Sequence, residues 1–576
     1  MTKQKKQSFL YGATILMVSM VIVKLVGAVF KIPLGNILKE SGMAYFNSAY
    51  TLYTTVYSLT VTGLSAAVAR MVAENVARER YRDVKKMLKL STMIFLVLGT
   101  LGFVFVFAFA RPFANLFSNP NSYWSIVMIS PAIFFCCIMA SYRGYYEGLS
   151  NMTPTAITQV VEVIVKLVTG LSFAILVMGI ADKQFTDSGV VFGMAVATKE
   201  EAVTAALPYG AAAAMLGVSI STLVGFIYIF IRYKLKGDFI TKEMIANSPK
   251  SLRIRVLLFR LIKISIPITL GAFVIQLSAL IDVATIMKRL EQSYTSNPEI
   301  YNSLYGTYLG SGEVLNEFLY GCFANAITIF NLVPAFTNIF GKSALPNVTN
   351  AWTTKDRSRL KVNIESVIRV TFLVAAPASF GISFMAKPIM KLLYPNLPGT
   401  IAIGGQLLTL LGLGALFLAL VTPMNAIMQG IGRMDLPVKY LFVGAVIKLV
   451  LNVILVGIPS INIMGGAIST LCCYSTIAFI SVYKLNKIVN VKLDFFGIMI
   501  KPLFAGFICG FSAFLCYQLL SFVKVNSIIT LLSIGVGAIF YVICLGITNA
   551  ISCDDILMLP KGNKIIKTLE KYRVIR

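Results

Sequence analysis

Residues 206–232 read ALPYGAAAAMLGVSISTLVGFIYIFIR and contain no charged residue before Arg232. A helix needs about 20 apolar residues to cross the hydrocarbon core of a bilayer, and this stretch is longer. Comparable stretches recur along the whole chain of 576 residues, of which 57% are hydrophobic and only 13% are charged. A water-soluble protein of this length needs far more charged surface. We therefore predict an all-α polytopic membrane protein.

Apolar runs of this kind predict about fourteen transmembrane helices, because in lipid each segment must satisfy its own backbone hydrogen bonds. The first run is too long for the apolar core of a signal peptide, so we expect it to be retained. The predicted spans lie near 8–34, 43–69, 87–110, 123–143, 154–180, 206–232, 260–287, 316–342, 362–386, 400–430, 436–457, 463–486, 497–521 and 526–550.

The charge distribution orients these spans. Lys and Arg are concentrated in alternate connections, at 78–86, 232–263, 355–361 and 561–576, as the positive-inside rule requires. This predicts a multi-pass protein of a bacterial cytoplasmic membrane with both termini cytoplasmic. The same rule accounts for the net charge of +27, so we expect the lipid bilayer, and not nucleic acid, as partner.

The chain also repeats itself. Ala110-Arg111-Pro112 matches Ala386-Lys387-Pro388, and Lys166-Leu167-Val168 matches Lys448-Leu449-Val450. Two parallel six-helix repeats follow, and proteins built this way bind substrate between their halves. The predicted domains are an N-terminal bundle at 1–235, a basic cytoplasmic linker at 236–259, a C-terminal bundle at 260–490, and two extra helices with a basic tail at 491–576.

The composition restricts the chemistry. The chain has no His, which removes His-based catalytic triads and His metal sites. The nine Cys lack metal-site spacing, and we interpret them as small buried apolar residues. We predict no enzymatic activity, no catalytic or metal site and no cofactor, apart from possible coupling to Na⁺, H⁺ or the membrane potential.

Lysines within spans are the best functional pointers, because an unpaired charge at mid-bilayer costs about 2.5–3.5 kcal/mol. Lys24, Lys166 and Lys448 lie near mid-depth, and Lys31 lies two turns after Lys24 on the same face. These lysines predict a cationic cavity that binds an anionic head group. For Lys166 an alternative stays open, since Glu162 lies one turn earlier in the favourable order for an ion pair. Lys31 is near the outer boundary, and the alternative there is a side chain that extends to the interface.

Other polar residues complete the candidate set. Arg143 either meets a lipid phosphate or anchors the cytoplasmic side, and Gly144 with Gly148 predicts a tight turn after span four. Polar residues expected to line the cavity, or only to join helices by hydrogen bonds, are Asn47, Tyr50, Tyr57, Gln276 and Asn325. The intramembrane acids Glu162 and Asp282 are candidates for binding a coupling cation.

Several of these segments resemble a known family. Arg143-Gly144-Tyr145-Tyr146-Glu147-Gly148, Asn151-Met152-Thr153-Pro154 and Lys24-Leu25-Val26-Gly27 with Lys31-Ile32-Pro33-Leu34 are similar to the stage V sporulation protein B and polysaccharide-transport branch of the multidrug/oligosaccharidyl-lipid/polysaccharide (MOP) exporter superfamily. The neighbouring MurJ group flips lipid II. Basic residues in that group's first span match Lys24 and Lys31, although the spacing here is one residue longer.

The resemblance implies a flippase for a lipid-linked anionic saccharide, most simply lipid II, working by alternating access with the cell-wall synthesis machinery as a possible partner. Alternatives are a flippase for another lipid-linked polysaccharide, a cation-coupled multidrug exporter, a membrane enzyme, or a scaffold for cell-wall synthesis. The multidrug branch uses intramembrane carboxylates, and the first span here has none, which disfavours the exporter.

Overall fold

A computed structural model describes residues 9–548, apart from 239, 434, 491, 492, 495 and 521–525. The predicted basic tail and Cys553 lie outside these residues, as do Lys3, Lys5 and Lys6. The prediction of an all-α membrane protein is confirmed, since thirteen helices within the described part are long and apolar enough to cross a bilayer. No disulfide joins the cysteines that the structure describes.

The elements follow the order of the predicted spans. The first half contains α1 (Phe9–Tyr57), a π-helical turn (Ser58–Thr62), α2 (Gly63–Ala77), α3 (Tyr81–Ala108), α4 (Ala110–Leu116), a 3₁₀ turn (Pro120–Ser122), α5 (Tyr123–Gly148), α6 (Thr153–Ser188), strands β1 (Val190–Val191) and β2 (Met194–Ala195), α7 (Lys199–Lys236) and α8 (Lys242–Ala246). β1 and β2 form a small antiparallel hairpin.

The rest of the chain is also helical. It contains α9 (Ile254–Ser296), α10 (Pro298–Tyr305), α11 (Leu315–Phe330), α12 (Leu332–Thr353), α13 (Arg357–Phe384), α14 (Ala386–Leu393), a π-helical turn (Thr400–Gly404), α15 (Gly405–Gly430), α16 (Asp435–Leu455), α17 (Met464–Val489), a third π-helical turn (Phe496–Ile500), α18 (Lys501–Leu520) and α19 (Asn526–Thr548).

The first of the thirteen candidate spans contains two crossings. It covers Val18–Ala77, which is 60 residues, about three times the length that a bilayer needs. Lys39 interrupts it with non-helical angles, φ 54° and ψ −166°. Lys31 Nζ lies 3.0 Å from Asn47 Oδ1, although residues 16 apart in a straight helix are about 24 Å apart. The chain therefore folds back at Lys39, which gives the fourteen crossings predicted.

Two connections contain more helix than the predicted span limits imply. The 181–205 region is mostly an extension of α6 to Ser188 and the start of α7 at Lys199, with the β-hairpin between them. The tight turn predicted at Gly144 and Gly148 lies slightly later in the chain, because α5 runs through Gly144 and ends at Gly148. These glycines instead allow α5 to approach α2: a Cβ at Gly144 would lie 2.7 Å from the Ser65 carbonyl oxygen.

The internal repeat is visible in the helices. The matching Ala-basic-Pro segments each form a short helix, α4 from Ala110 and α14 from Ala386. Each short helix directly follows a 28-residue helix, α3 or α13. Because the same unusual element occurs at the same place in both halves, the structure supports the duplication inferred from sequence.

By packing, the chain divides into two compact units, one ending at Gly321 and the other beginning at Cys322. In the first unit α6 and α5 pack on α7, α3 packs on α5, α1 contacts α5, α6 and α7, and α9 packs on α2. This division follows packing and includes α9 and α10, whereas the boundaries predicted at 236 and 260 follow the repeat.

The second unit is organised around α13 and α15. α15 packs against α12, α13 and α17, and α16 packs against α17. The two helices beyond the repeat are attached to this core mainly by α18, which packs along α13 and against α19. Gly506 of α18 allows close packing, since a Cβ there would lie 2.7 Å from the backbone carbon of Ala376.

Candidate functional site

The fold-back at Lys39 builds the candidate site in the first unit. It sets the end of the first crossing against the second, so that Phe30 and Phe46 lie 5.9 Å apart between ring centres. Lys31 follows Phe30 and donates to the side-chain oxygen of Asn47 at 3.0 Å. Two predicted site residues, one from each crossing, are thereby in direct contact.

Tyr50 lies between two lysines. Its ring centre is 5.4 Å from Lys31 Nζ and 4.6 Å from Lys166 Nζ, which reaches it from α6. Lys166 Nζ also lies 4.9 Å from the Phe30 ring centre and 3.5 Å from the Tyr50 hydroxyl, at the limit of hydrogen bonding. Cations are attracted to aromatic faces, so Tyr50 is a contact that both ammonium groups share.

The lysine pair is not neutralised by acids. Within the described residues, no carboxylate lies within ion-pair distance of Lys31 or Lys166. Both side chains are half-buried, and both ammonium groups approach the same Tyr50 ring. Two like charges near one another are favourable only with water or an anion between them.

The alternative partner for Lys166 is already engaged. Glu162 forms an ion pair with Arg143 of α5, and Arg143 Nε donates to Thr158 Oγ1 at 2.9 Å. Neither side chain is more than a fifth exposed. The structure therefore separates two groups of predicted site residues: Arg143 and Glu162 bind each other, whereas Lys31 and Lys166 share Tyr50.

The remaining lysines have different surroundings. Lys24 is exposed on α1. Its spacing from Lys31 predicts that the two lysines lie on the same helix face. Lys448, in the second unit, is 2% exposed and lies 6.0 Å from the ring centre of Tyr474. One turn later on α16, the fully buried Asn452 accepts a hydrogen bond from Ser469.

The other predicted polar residues do not form one cluster. Tyr57 is half-buried and ends an aromatic row that runs along α1 from Phe46 through Tyr50 and Tyr53, with centres about 6 Å apart. Gln276 is half-buried and Asp282 is buried, both on α9. Asn325 is fully buried in α11 and donates to Thr400 Oγ1 at 3.1 Å.

Two contributors were missed from the sequence. Phe30 was hidden within an apolar run, and no local signal marks it as the ring below Lys166. Glu317 is a buried carboxylate near the start of α11, where Tyr45 donates to it at 2.6 Å. A signal for it existed, since Glu313 and Glu317 stand four residues apart at the start of a predicted span without a nearby base.

Comparisons with known proteins agree with this architecture. Among relatives from Bacillus subtilis, the chain is 25% identical to lipid II flippase MurJ over 457 residues, covering 78% of this chain and 77% of MurJ. It is 22% identical to stage V sporulation protein B over 569 residues, covering 97% and 99% of the two chains.

Solved structures share the fold. The inward closed conformation of MurJ matches with a TM-score of 0.61 at 14% identity, covering 94% of this chain and 98% of that one. An inward-facing multidrug resistance MATE family transporter of the MOP superfamily matches with a TM-score of 0.59 at 14% identity, covering 82% and 98%.

Family models cover much of the chain. The MatE model matches residues 322–454. The family described as polysaccharide biosynthesis protein matches residues 9–352, which is more than half of the sequence. The resemblance predicted from the motifs is thus confirmed, and this multi-pass chain belongs to the polysaccharide biosynthesis protein family.

Proposed function

We propose that the protein is a flippase that moves the anionic head group of a lipid-linked saccharide across the membrane, with lipid II as the substrate. The observation that carries the proposal is the pair of lysines, Lys31 and Lys166, that share Tyr50 and have no carboxylate partner among the described residues. The name of one relative, lipid II flippase MurJ, supports the same substrate class.

The chemistry of the site suits a pyrophosphate. Two ammonium groups offer compact positive charge and several donors, and hydrogen bonds between charged partners are about twice as strong as neutral ones. Asn47 holds Lys31 in place, so part of the ordering cost is met before a ligand arrives. A phosphate group between the lysines also relieves their mutual repulsion.

Translocation in this proposal is alternating access. The saccharide-pyrophosphate head enters the bundle while the polyprenyl tail stays in lipid, and the two repeats then change conformation to release the head outside. No bond is made or broken. An inside-negative potential favours outward movement of the anion by about 2.3 kcal/mol per unit charge per 100 mV.

Lys24 in the first unit and Lys448 in the second are further candidates for contacting the anionic head group. Cell-wall synthesis enzymes are the partners that such a flippase supplies. The cation-coupled exporter is the weaker alternative, because Glu162, the acid proposed for coupling, is occupied by Arg143. Asp282 is buried on α9 and remains the other candidate for a coupling ion. A bacterial cytoplasmic membrane with cytoplasmic termini completes the proposal.

The test is accessibility of the lipid II head group in vesicles that contain the purified protein. We expect Lys31→Gln combined with Lys166→Gln to slow translocation at least about tenfold, because a single charged hydrogen bond is worth about 1.5–3 kcal/mol. Lys183→Gln is the matched control, since Lys183 lies on the same helix but is exposed.

Two outcomes separate the parts of the proposal. Wild-type rates in the double variant would remove the lysine pair from the anion path. Wild-type protein that flips another lipid-linked saccharide but not lipid II would replace the substrate and leave the flippase assignment standing.

A further inference from the structure

A buried carboxylate joins three elements at one end of the first unit. Glu317 of α11 is 1% exposed and accepts a hydrogen bond from the Tyr45 hydroxyl of α1 at 2.6 Å. The amide nitrogen of Asn121, in the 3₁₀ turn before α5, lies 3.2 Å from both of its oxygens. On the predicted topology this is the outer end, which also contains the break at Lys39.

Further contacts follow the same path. Ser41 donates to Glu313 at 2.9 Å, and the Asn316 amide donates to the Ser118 carbonyl at 3.1 Å. α11 also touches α1 by backbone, since a Cβ at Gly321 would lie 1.9 Å from the Glu40 carbonyl oxygen. Each contact joins a residue before the predicted boundary at 236 to a residue after the predicted boundary at 260.

The contacts are hydrogen bonds and not ion pairs. In the part of the chain that the structure describes, no Lys or Arg lies within ion-pair distance of Glu313 or Glu317. A buried carboxylate depends on its donors, because it is far from water. It becomes fully solvated if α11 moves away, so the closed and open arrangements can each satisfy it.

We propose that Tyr45, Asn121 and Glu317 form a latch that holds the outer end closed and must release before the head group leaves. The inference rests on the proposed function, because alternating access requires the two repeats to separate at each end in turn. Releasing the latch exchanges two protein donors for water at Glu317. The latch therefore sets how much of the protein is open to the outside.

A distance measurement between spin labels tests the latch without any substrate. The labels are placed on Leu116 and Val314, both exposed at this end on either side of the latch, in a variant whose native cysteines are replaced. A second pair on Asp182 and Lys199, which are exposed and lie within the first repeat, serves as the distance reference.

Tyr45→Phe removes one hydroxyl and leaves the Glu317 carboxylate short of a donor. We expect the population with the longer 116–314 distance to rise roughly tenfold, given the cost of an unsatisfied buried polar group. Adding Asn121→Ala should raise it further, while the 182–199 distance stays constant. Tyr301→Phe is the matched control: Tyr301 is fully buried, and its hydroxyl donates to Ser293 within the second repeat.

An unchanged 116–314 distance in both latch variants would overturn the proposal. So would an equal shift in Tyr301→Phe, because general loosening and not this set of hydrogen bonds would then open the end. The measurement contains no lipid-linked saccharide, so a failed lipid II assay with the expected distance changes would refute the substrate and leave the latch intact.

Discussion

At the residue scale, the ion pair between Arg143 and Glu162 joins α5 to α6. Removing one partner of a buried pair leaves an uncompensated charge and costs about 3–5 kcal/mol, whereas apolar replacement of both is often neutral. Because both side chains are slightly exposed, we expect Glu162→Leu alone to lower stability by about 2–4 kcal/mol.

The measurement is thermal unfolding of the detergent-solubilised protein. Arg143→Met added to Glu162→Leu should recover much of the loss. Asp435→Leu is the control, since Asp435 pairs with Arg433 and Lys439 at the surface. If Arg143→Met lowers the stability of the Glu162→Leu variant further, by as much as a separate destabilising substitution would, the two residues act independently. The pairing would then not explain the loss.

The lysines show how far single residues could be predicted. Their position within apolar runs was enough to select Lys31 and Lys166, because charge in lipid is costly wherever it falls. Their partners were not predictable in the same way. Glu162 had a local candidate in Lys166 but binds Arg143, which comes from the preceding helix, and only packing of α5 against α6 determines that choice.

At the element scale, the segment that follows α7 is fastened to the start of α3. Asp238 pairs with Lys85 at 2.6 Å and accepts a hydrogen bond from Tyr145. Farther along, Asp83 accepts from the Ser251 hydroxyl at 2.7 Å and from the Leu252 amide at 2.9 Å. The family motif around Tyr145 therefore positions the connection between the two repeats.

Asp83 is the strongest test of this fastening, because it is 1% exposed and also accepts from Arg80. Asp83→Ala leaves the donors of Ser251 and Leu252 without their acceptor, which costs about 1–3 kcal/mol. We expect backbone amides in 244–252 to exchange roughly tenfold faster or more in hydrogen-exchange mass spectrometry. The control is Asp182→Ala, which removes an exposed ion pair and should leave the exchange rates in 244–252 unchanged. Unchanged slow exchange in Asp83→Ala would show that other contacts hold the segment.

The sequence predicted the type of each element better than the residues at which it begins and ends. Hydropathy located every crossing, because the bilayer imposes a minimum apolar length. It gave no information on helix outside the bilayer, so the extensions of α6 and α7 were missed. The glycines at 144 and 148 were interpreted as a turn, whereas their lack of a side chain serves the contact between α5 and α2.

The reversal at Lys39 decides the topology of the whole molecule. The described part of the structure contains thirteen helices long and apolar enough to cross a bilayer, and an odd number of crossings would put the termini on opposite sides. The contact between Lys31 and Asn47 makes the first helix two crossings, so the total is even. An even number of crossings predicts that both termini share one side, and the distribution of basic residues predicts that this side is the cytoplasm.

Fusions that report their compartment test this arrangement. A fluorescent protein that folds only in the cytoplasm should fluoresce when attached after Arg576. An alkaline phosphatase, which is active only outside, should be active when inserted at the β1–β2 hairpin between Val191 and Met194. The predicted spans put an odd number of crossings between the hairpin and the C-terminus, so the two fusions should report opposite sides. An active hairpin fusion also shows that the protein is expressed. A dark C-terminal fusion together with an active hairpin fusion would mean an even number of crossings between the hairpin and the C-terminus. The prediction of a cytoplasmic C-terminus would then be wrong.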